Sequence, residues 1–192
     1  IKNFSAVGEL LQNVFAATES TSSGLLWAIE CMTRQGDLPL FRHAEQHVEE
    51  LVIFLDEVLR VFTPVPYVSR VCRQATQING MTFAENEPIV ISIVGVHSDS
   101  QYWHDPLLFK PRRQEFIEAS YPRHAFIPFI NGPRVCAGMK LARQELKCGM
   151  LAFLERFSVK PCNESRGLEY GLASRPSVKL EPYLIDRKAG VV

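Results

Sequence analysis

One ten-residue stretch, FINGPRVCAG from Phe129 to Gly138, constrains this chain more than any other feature. It places a single cysteine, Cys136, directly before an amphipathic segment that predicts a helix from about 139 to 157. A lone cysteine is usually a small buried apolar residue. Just ahead of a helix, however, unpaired backbone N–H groups and the helix dipole stabilise a thiolate. The stretch therefore predicts an anionic sulfur on a tight loop that binds a metal or a cofactor.

The residues around Cys136 indicate what kind of cofactor this is. Gly132 and Gly138 allow the backbone to fold tightly around the sulfur. Arg134 brings a cation that suits a carboxylate, and Phe129 can shield the sulfur from water. A single thiolate ligand on a loop that faces a flat anionic cofactor is typical of haem binding.

Composition excludes several other classes of protein. The 192 residues include 21 basic and 21 acidic side chains, so no net positive field favours nucleic acid. The five scattered cysteines contain no C-x-x-C pair, which argues against a zinc knuckle or a disulfide framework and favours a reducing intracellular setting. No apolar run is long enough to span a membrane, and no signal peptide is visible. The start at Ile1, inside a helical pattern, predicts a piece of a longer protein.

The hydrophobic periodicity predicts a mainly α protein with small β sheets. A first helix is expected over about 1–36, with a small and polar interruption, AATESTSSG, at 16–24. A second is expected over about 41–62, where Pro64 and Pro66 end it. The small residues of the first helix would let a bulky group approach its backbone.

Shorter segments are expected between and after these helices. Asn79-Gly80 predicts a hairpin turn, 89–96 predicts a buried strand, and the tail at 170–174 and 177–185 predicts another hairpin. Residues 98–128 carry aromatics and prolines without a period and predict a long irregular loop. Such loops are uncommon in a compact domain unless they have a function.

The cysteine stretch at 129–138 resembles F-x-x-G-x-R-x-C-x-G, which is the haem-ligand loop of the cytochrome P-450 family. The resemblance implies that residues 1–192 are the C-terminal portion of a single P-450 domain whose N-terminal part is absent. It also implies haem b as cofactor, with Cys136 as the axial iron ligand. Arg134 and Arg70 would pair with the haem propionates.

Two further stretches resemble motifs of the family, and they occur along this chain in the same order as in the family. Ala16-Ala17-Thr18-Glu19-Ser20-Thr21 resembles its A-G-x-D/E-T-T/S motif, so Glu19 and the Ser20 hydroxyl would relay protons during oxygen activation. Ala17 replaces the usual glycine and Ser20 the usual threonine. Serine keeps the hydroxyl but has a freer rotamer, so oxygen activation would be more loosely coupled to product, and Thr21 is a possible substitute.

Glu57 and Arg60 supply the E-x-x-R pair of the family. Amphipathicity alone predicts that this pair lies on the surface, where it stabilises by only tenths of a kcal/mol. The resemblance instead implies a structural triad in which Glu57 lies buried between Arg60 and Arg113, the latter from FKPRR at 109–113. Such a triad would fix the shape of the irregular loop.

The function implied by the resemblance is a monooxygenase that inserts one atom of O2 into a lipophilic substrate. Electrons would come from a reductase or ferredoxin-type donor, docked on a cationic face formed by Lys140, Arg143 and Lys147. The endoplasmic reticulum membrane is the expected location, with the catalytic domain facing the cytosol and the anchor in the missing part.

Two alternatives stay open: a haem-thiolate isomerase or dehydratase that needs no redox partner, and a non-catalytic haem-binding fragment. Residues near Val14, after Pro64 and around Leu172 are expected to line the substrate pocket, and the isolated chain is expected to fold poorly and be inactive.

Overall fold

The computed structural model describes residues 5–35, 39–161, 167–171, 173–177 and 184–187. Within these ranges the chain is mainly helical, with four two-stranded antiparallel sheets. The helices are α1 (Ala6–Gln35), α2 (Pro39–Arg42), α3 (Val48–Val61), α4 (Ile93–His97), α5 (Gln114–Ile117) and α6 (Met139–Arg156), with a 3₁₀ turn at Gly132–Arg134. The strands are β1 (Tyr67–Val71), β2 (Thr76–Ile78), β3 (Met81–Phe83), β4 (Pro88–Ser92), β5 (Phe157–Val159), β6 (Leu168–Tyr170), β7 (Ser174–Pro176) and β8 (Leu184–Asp186).

The core lies between the second half of α1, α3 and α6, because these three helices turn their apolar faces toward one another. Phe54, Met32 and Met150 are fully buried there. Two glycines let α1 and α6 approach closely. A Cβ added at Gly24 would lie 2.9 Å from Leu146 Cδ2, and one added at Gly149 would lie 3.1 Å from Leu25 Cδ2. The core therefore fixes α6, and with it the end of the cysteine loop, against α1.

Helix α1 matches the helix predicted over about 1–36, although residues 1–4 and 36 lie outside the described residues. Only its second half contributes to the core, with buried positions starting at Ser23. In the first half the apolar side chains are exposed, and they are Val7, Leu10, Leu11, Val14 and Phe15. No helix within the described ranges is long and apolar enough to cross a membrane.

The single helix predicted over about 41–62 is wrong in its first part. The chain forms the short α2, turns at 43–46 and begins α3 only at Val48. The turn is closed by backbone hydrogen bonds from Gln46 N to His43 O at 2.9 Å and from His47 N to Ala44 O at 3.2 Å. Burial of Phe41 and Ala44 fixes α2 against the core, and this tertiary packing overrides the local helical pattern.

The hairpin predicted at Asn79-Gly80 is confirmed: β2 pairs with β3, and both turn residues have positive φ, 48° and 81°. The buried strand predicted at 89–96 is wrong. Strand β4, paired with β1, ends at Ser92, and α4 begins where the Ser92 hydroxyl accepts a hydrogen bond from Gly95 N at 3.0 Å. Val90 is 67% exposed whereas Ile93 is 1% exposed, so only part of the apolar run is buried, and the buried residue lies in the helix.

The tail hairpin is also wrong as predicted. Strand β6 pairs with β7, whereas β8 pairs with β5 at the end of α6. Part of the tail prediction, including Leu172, lies outside the described residues. Ser174 connects the tail to α1, because its carbonyl accepts hydrogen bonds from the Ser23 hydroxyl and, at 3.1 Å, from Trp27 Nε1.

Candidate functional site

The cysteine loop is a tight, solvent-exposed turn. Gly132 has φ +82°, a conformation that glycine adopts without steric cost. Ile130, a β-branched residue, has φ +61°, which its surroundings must maintain. The Cys136 N–H donates to Phe129 O at 2.9 Å, which folds the loop back on itself, and the thiol is exposed. Gly138 is the N-cap of α6, and a Cβ there would lie 3.9 Å from Cys136 Sγ.

A cleft of about 610 Å³ separates this loop from the middle of α1. Cys136, Phe129 and Gly138 line one wall. The opposite wall is the small-residue segment of α1, and it consists of Ala16, Ala17, Glu19, Ser20 and Thr21. Apolar side chains close the remaining sides, among them Leu59, Pro64, Val65, Ile93 and Leu146. The thiol and the predicted oxygen-activating residues therefore face the same apolar space.

The three polar residues of the α1 wall differ in how their side chains are bound. Glu19 is half-buried at the cleft. The Ser20 hydroxyl donates to Ala16 O, one turn earlier in the helix, at 2.9 Å. Thr21 is half-buried, and its hydroxyl has no hydrogen-bond partner among the residues that the structure describes. Thr21 is thus the hydroxyl of this wall that is not already bound to the helix backbone.

Neither predicted propionate partner lines the cleft itself. Arg70 is half-buried on β1, and its Nη1 donates to the neighbouring Ser69 O at 2.7 Å. Arg134 is exposed in the 3₁₀ turn. Within the described ranges neither guanidinium forms an ion pair, so both are able to donate hydrogen bonds to the carboxylate of a bound ligand.

The structure brings Glu57, Arg60 and Arg113 together in a buried network. Glu57 and Arg113 are 0% exposed and Arg60 is 1% exposed. Arg60 Nε and Arg113 Nε each donate to Glu57 Oε2 at 2.7 Å, and Arg60 Nη2 donates to Oε1 at 3.0 Å. The surface position that amphipathicity predicts for Glu57 and Arg60 is therefore wrong. Amphipathicity counts only apolar residues as inward-facing. A charged side chain can also be buried when it is paired and hydrogen-bonded, as Glu57 and Arg60 are.

The two guanidinium groups also bind the backbone of the irregular segment at 97–113. Arg60 Nη1 donates to the carbonyls of His97 and Pro106, both at 2.7 Å. Arg113 donates to the carbonyls of His104 and Leu108, also both at 2.7 Å. Three of these carbonyls lie outside regular secondary structure and that of His97 ends α4, so none has a partner within a helix or strand, and the arginines take that role. The Trp103 ring lies 5.3 Å from the Arg60 guanidinium carbon and 5.9 Å from that of Arg113.

Lys140, Arg143 and Lys147 share one face of α6, as predicted, but the charge of Arg143 is paired with a carboxylate. Arg143 Nη1 lies 2.6 Å from Asp56 Oδ1 on α3, and its guanidinium packs over the rings of Phe126 and Phe129 at 5.9 and 5.4 Å. Burial raises the pKa of Asp56, although Arg143 acts in the opposite direction. Arg143 therefore connects α3 to the cysteine loop, and Lys140 is exposed on this face.

Three residues near the site were not found in the sequence: His97, Trp103 and Asp56. His97 and Trp103 are each 1% exposed. The signal that could have found them is the irregular segment itself. A long segment without regular hydrogen bonds needs buried polar and aromatic anchors, and 97–104 is where both kinds occur together.

The comparisons with known proteins agree with the fold. The family model described as Cytochrome P-450 matches residues 44–173. Similar curated proteins include cytochrome P-450 3A31 of Mesocricetus auratus, 28% identical over 170 residues, and cytochrome P-450 3A5 of Homo sapiens, 29% identical over 169 residues. Each alignment covers 80% of this chain and 34% of the relative. The chain thus spans about a third of the length of the curated relatives it matches.

Solved structures show the same architecture. A retinoic-acid-bound cyanobacterial protein, CYP120A1, has a TM-score of 0.78 and 25% identity, covering 87% of this chain and 42% of its own. The cytochrome P-450 CYP102L1 has a TM-score of 0.72 and 21% identity, covering 88% and 42%. The fold is that of a portion of a cytochrome P-450. The chain belongs to the cytochrome P-450 family.

Members of this family bind haem b, and the residues of the cleft fit that group. The cleft offers one exposed thiol on one wall and small side chains on the wall opposite. A soft thiolate is a suitable axial ligand for haem iron. The small side chains of Ala16 and Ala17 would leave room in the cleft for a flat macrocycle, and the apolar remaining walls would suit its hydrocarbon edge.

Proposed function

We propose that the protein containing this chain is a haem-dependent monooxygenase that inserts one atom of O2 into a lipophilic organic substrate. The observation that carries the proposal is the shared cleft, in which Cys136 faces Glu19, Ser20 and Thr21 across an apolar space. Family membership supports the same chemistry. We further propose that residues 1–192 are the C-terminal portion of one P-450 domain, since the match covers only 34% of the relative.

The residues that would hold the cofactor have distinct tasks. Cys136 would supply the axial thiolate, and Phe129, half-buried beside it, would exclude water from the sulfur. Arg134 and Arg70 would pair with the propionates. When bound, haem b supplies an iron centre that activates dioxygen after receiving two electrons. Gly138 would leave the N-terminal N–H groups of α6 directed at the sulfur, where they favour its anionic form.

Protons would reach the cleft through α1. Glu19, half-buried at the cleft wall, can exchange protons with solvent and pass them to a neighbouring hydroxyl. Ser20 is bound to Ala16 O, so it must break that bond to serve. Thr21 needs no such rearrangement, which supports it as a substitute for the hydroxyl of Ser20.

The substrate and the partners are proposed at the level of chemical class. The apolar walls formed by Leu59, Val65 and Ile93 favour a lipophilic small molecule. An electron-donor protein of the reductase or ferredoxin type would dock near Lys140 and Lys147, in the first half of α6, which follows the cysteine loop. The endoplasmic reticulum membrane, with the catalytic domain toward the cytosol, remains the predicted location.

The test uses the full-length protein with an electron donor, isotopically labelled dioxygen and a panel of fatty acids, steroids and terpenes. We expect one labelled oxygen atom in the product and a turnover about 100-fold lower in Glu19→Gln, because a positioned proton donor contributes about that factor. Glu9→Gln, exposed on the same helix and away from the cleft, is the matched control.

Two results would contradict the monooxygenase. Product formed without oxygen or donor would support an isomerase or dehydratase. Bound haem with no turnover of any substrate, with or without donor, would support a non-catalytic haem-binding protein.

A further inference from the structure

His97 is a buried titratable side chain that the proposed chemistry does not use. It ends α4 and is 1% exposed. Its Nδ1 lies 2.9 Å from Thr63 Oγ1 and 3.2 Å from Arg60 O, both at the end of α3. On the other side of the ring, Nε2 accepts a hydrogen bond from the Ile127 N–H at 2.9 Å. The imidazole therefore joins α3 to the segment that leads into the cysteine loop.

The partners of the two ring nitrogens fix the tautomer. A backbone carbonyl only accepts, so Nδ1, which faces Arg60 O, carries the proton. A backbone N–H only donates, so Nε2, which faces Ile127 N, is unprotonated. The Thr63 hydroxyl itself donates to Leu59 O at 2.7 Å, which leaves its lone pairs for Nδ1–H. The ring must be neutral for all these bonds to exist together.

A short series of backbone hydrogen bonds leads from His97 to Cys136. Ile127, held by His97 at its N–H, accepts at its carbonyl from Ile130 N at 3.0 Å. That turn sets the direction of Phe129, whose carbonyl accepts from Cys136 N at 2.9 Å. Ile130 has its unfavourable positive φ inside this turn, so the turn depends on anchors outside it.

We propose that His97 is a positioning residue for the cysteine loop. Its neutral Nε2 holds the Ile127 N–H and thereby keeps the 127–136 backbone in the conformation that presents Cys136 to the cofactor. The inference rests on the proposed haem-thiolate function and adds a residue that acts on the ligand from outside the cleft.

The surroundings of the ring make this anchor sensitive to acid. The charged groups near it are Arg60 and its partner Glu57 on α3, and Arg113 in the segment after α4. From the loop side, residues 125–128 contribute no charged side chain. The pKa of His97 is lowered from 6.5 to about 4, chiefly by burial; the hydrogen bond to Arg60 O raises it and the Arg60 charge lowers it, and both contributions are smaller than that of burial. Once protonated, Nε2 becomes a donor that faces the Ile127 donor, and the bond is lost.

The experiment follows the carbon monoxide difference spectrum of the reduced full-length haemoprotein from neutral pH downward. Three variants are compared with the wild type. His97→Gln keeps an acceptor for Ile127 N but does not titrate, and His97→Phe keeps the ring volume but has no acceptor. His124→Gln, an exposed histidine next to Tyr102 in the same region, is the matched control. Far-UV circular dichroism at each pH separates loss of ligation from unfolding.

We expect the wild type and His124→Gln to lose the thiolate-type band with a midpoint between pH 4 and 6.5 while helicity is retained. The midpoint in His97→Gln should lie about one pH unit lower or more, because nothing titrates at the anchor. In His97→Phe the ratio of thiolate-ligated to misligated protein should be about tenfold lower already at neutral pH, because one neutral hydrogen bond is lost, and the band should be weaker than in the wild type.

Two results would overturn the inference. One is a midpoint in His97→Gln equal to that of the wild type, and the other is a full band with a wild-type pH profile in His97→Phe. A wild type that binds haem but shows no thiolate-type band at neutral pH would instead overturn the proposed function, and the inference with it.

Discussion

The Glu57 network and the cysteine loop are opposite kinds of polar site. Glu57, Arg60 and Arg113 are at most 1% exposed, and every bond among them is within the protein. Cys136 is exposed and faces an open cleft. An exposed thiol buries little surface, so Cys136 contributes little to the stability of the fold. The network that never touches the cleft fixes the backbone around it, so the two regions should respond differently to mutation.

The largest expected effect follows from removing the carboxylate of the network. Glu57→Ala leaves Arg60 buried without a counter-charge and leaves Arg113 with Glu115 as its remaining carboxylate partner, 3.3 Å from Nη1. Breaking a buried pair in this way costs about 3–5 kcal/mol, a large part of the stability of a typical domain. The free energy of unfolding from urea titration of the full-length protein measures this. Glu49→Ala, exposed on the same helix, is the control and should change stability by about 0.5 kcal/mol or less. A Glu57→Ala protein as stable as the control would contradict a structural role for the network.

The next effect concerns pH and the anchor between the two regions. The folded pKa of His97, about 4, lies below its ordinary value of 6.5, so the unfolded chain binds more protons between these values. Stability from this group is therefore present above pH 6.5 and lost as the pH falls toward 4, by roughly 3 kcal/mol in total. Urea titrations at several pH values measure the slope, which His97→Gln should reduce. An unchanged slope in that variant would show that other groups carry the pH dependence.

A smaller effect is expected one residue before Glu57. Asp56 pairs with Arg143, but its side chain is 16% exposed and that of Arg143 is 38% exposed. Burial raises the pKa of Asp56, so the ionised form already costs free energy that the ion pair offsets only in part. Asp56→Asn keeps a hydrogen-bond acceptor and should change stability by about 1 kcal/mol or less. A loss as large as that of Glu57→Ala would show that the two carboxylates are not different in kind.

The sequence predicted which residues line the cleft better than it predicted the local structure around them. The residues of the cysteine stretch and of the α1 motif lie on facing walls of one cleft, because short motifs specify side-chain chemistry that periodicity does not describe. Periodicity located α1 and α6 but missed the turn at 43–46, which contains neither glycine nor proline. It also read 89–96 as one strand, since a short apolar run does not distinguish a strand from a helix. His97 could not be predicted as an anchor because its partners, Thr63 and Ile127, are about 30 residues away on either side.

The most direct test of the account is the carbon monoxide difference spectrum of the reduced full-length protein in Cys136→Ser and Cys148→Ser, with circular dichroism on the same samples. Both cysteines are exposed, and Cys148 lies on α6 away from the cleft, so it is a matched control. We predict that the strongly red-shifted band is lost only in Cys136→Ser, while helicity is unchanged in both variants. A red-shifted band that survives in Cys136→Ser, or one lost equally in Cys148→Ser, would contradict the assignment of Cys136 as the iron ligand.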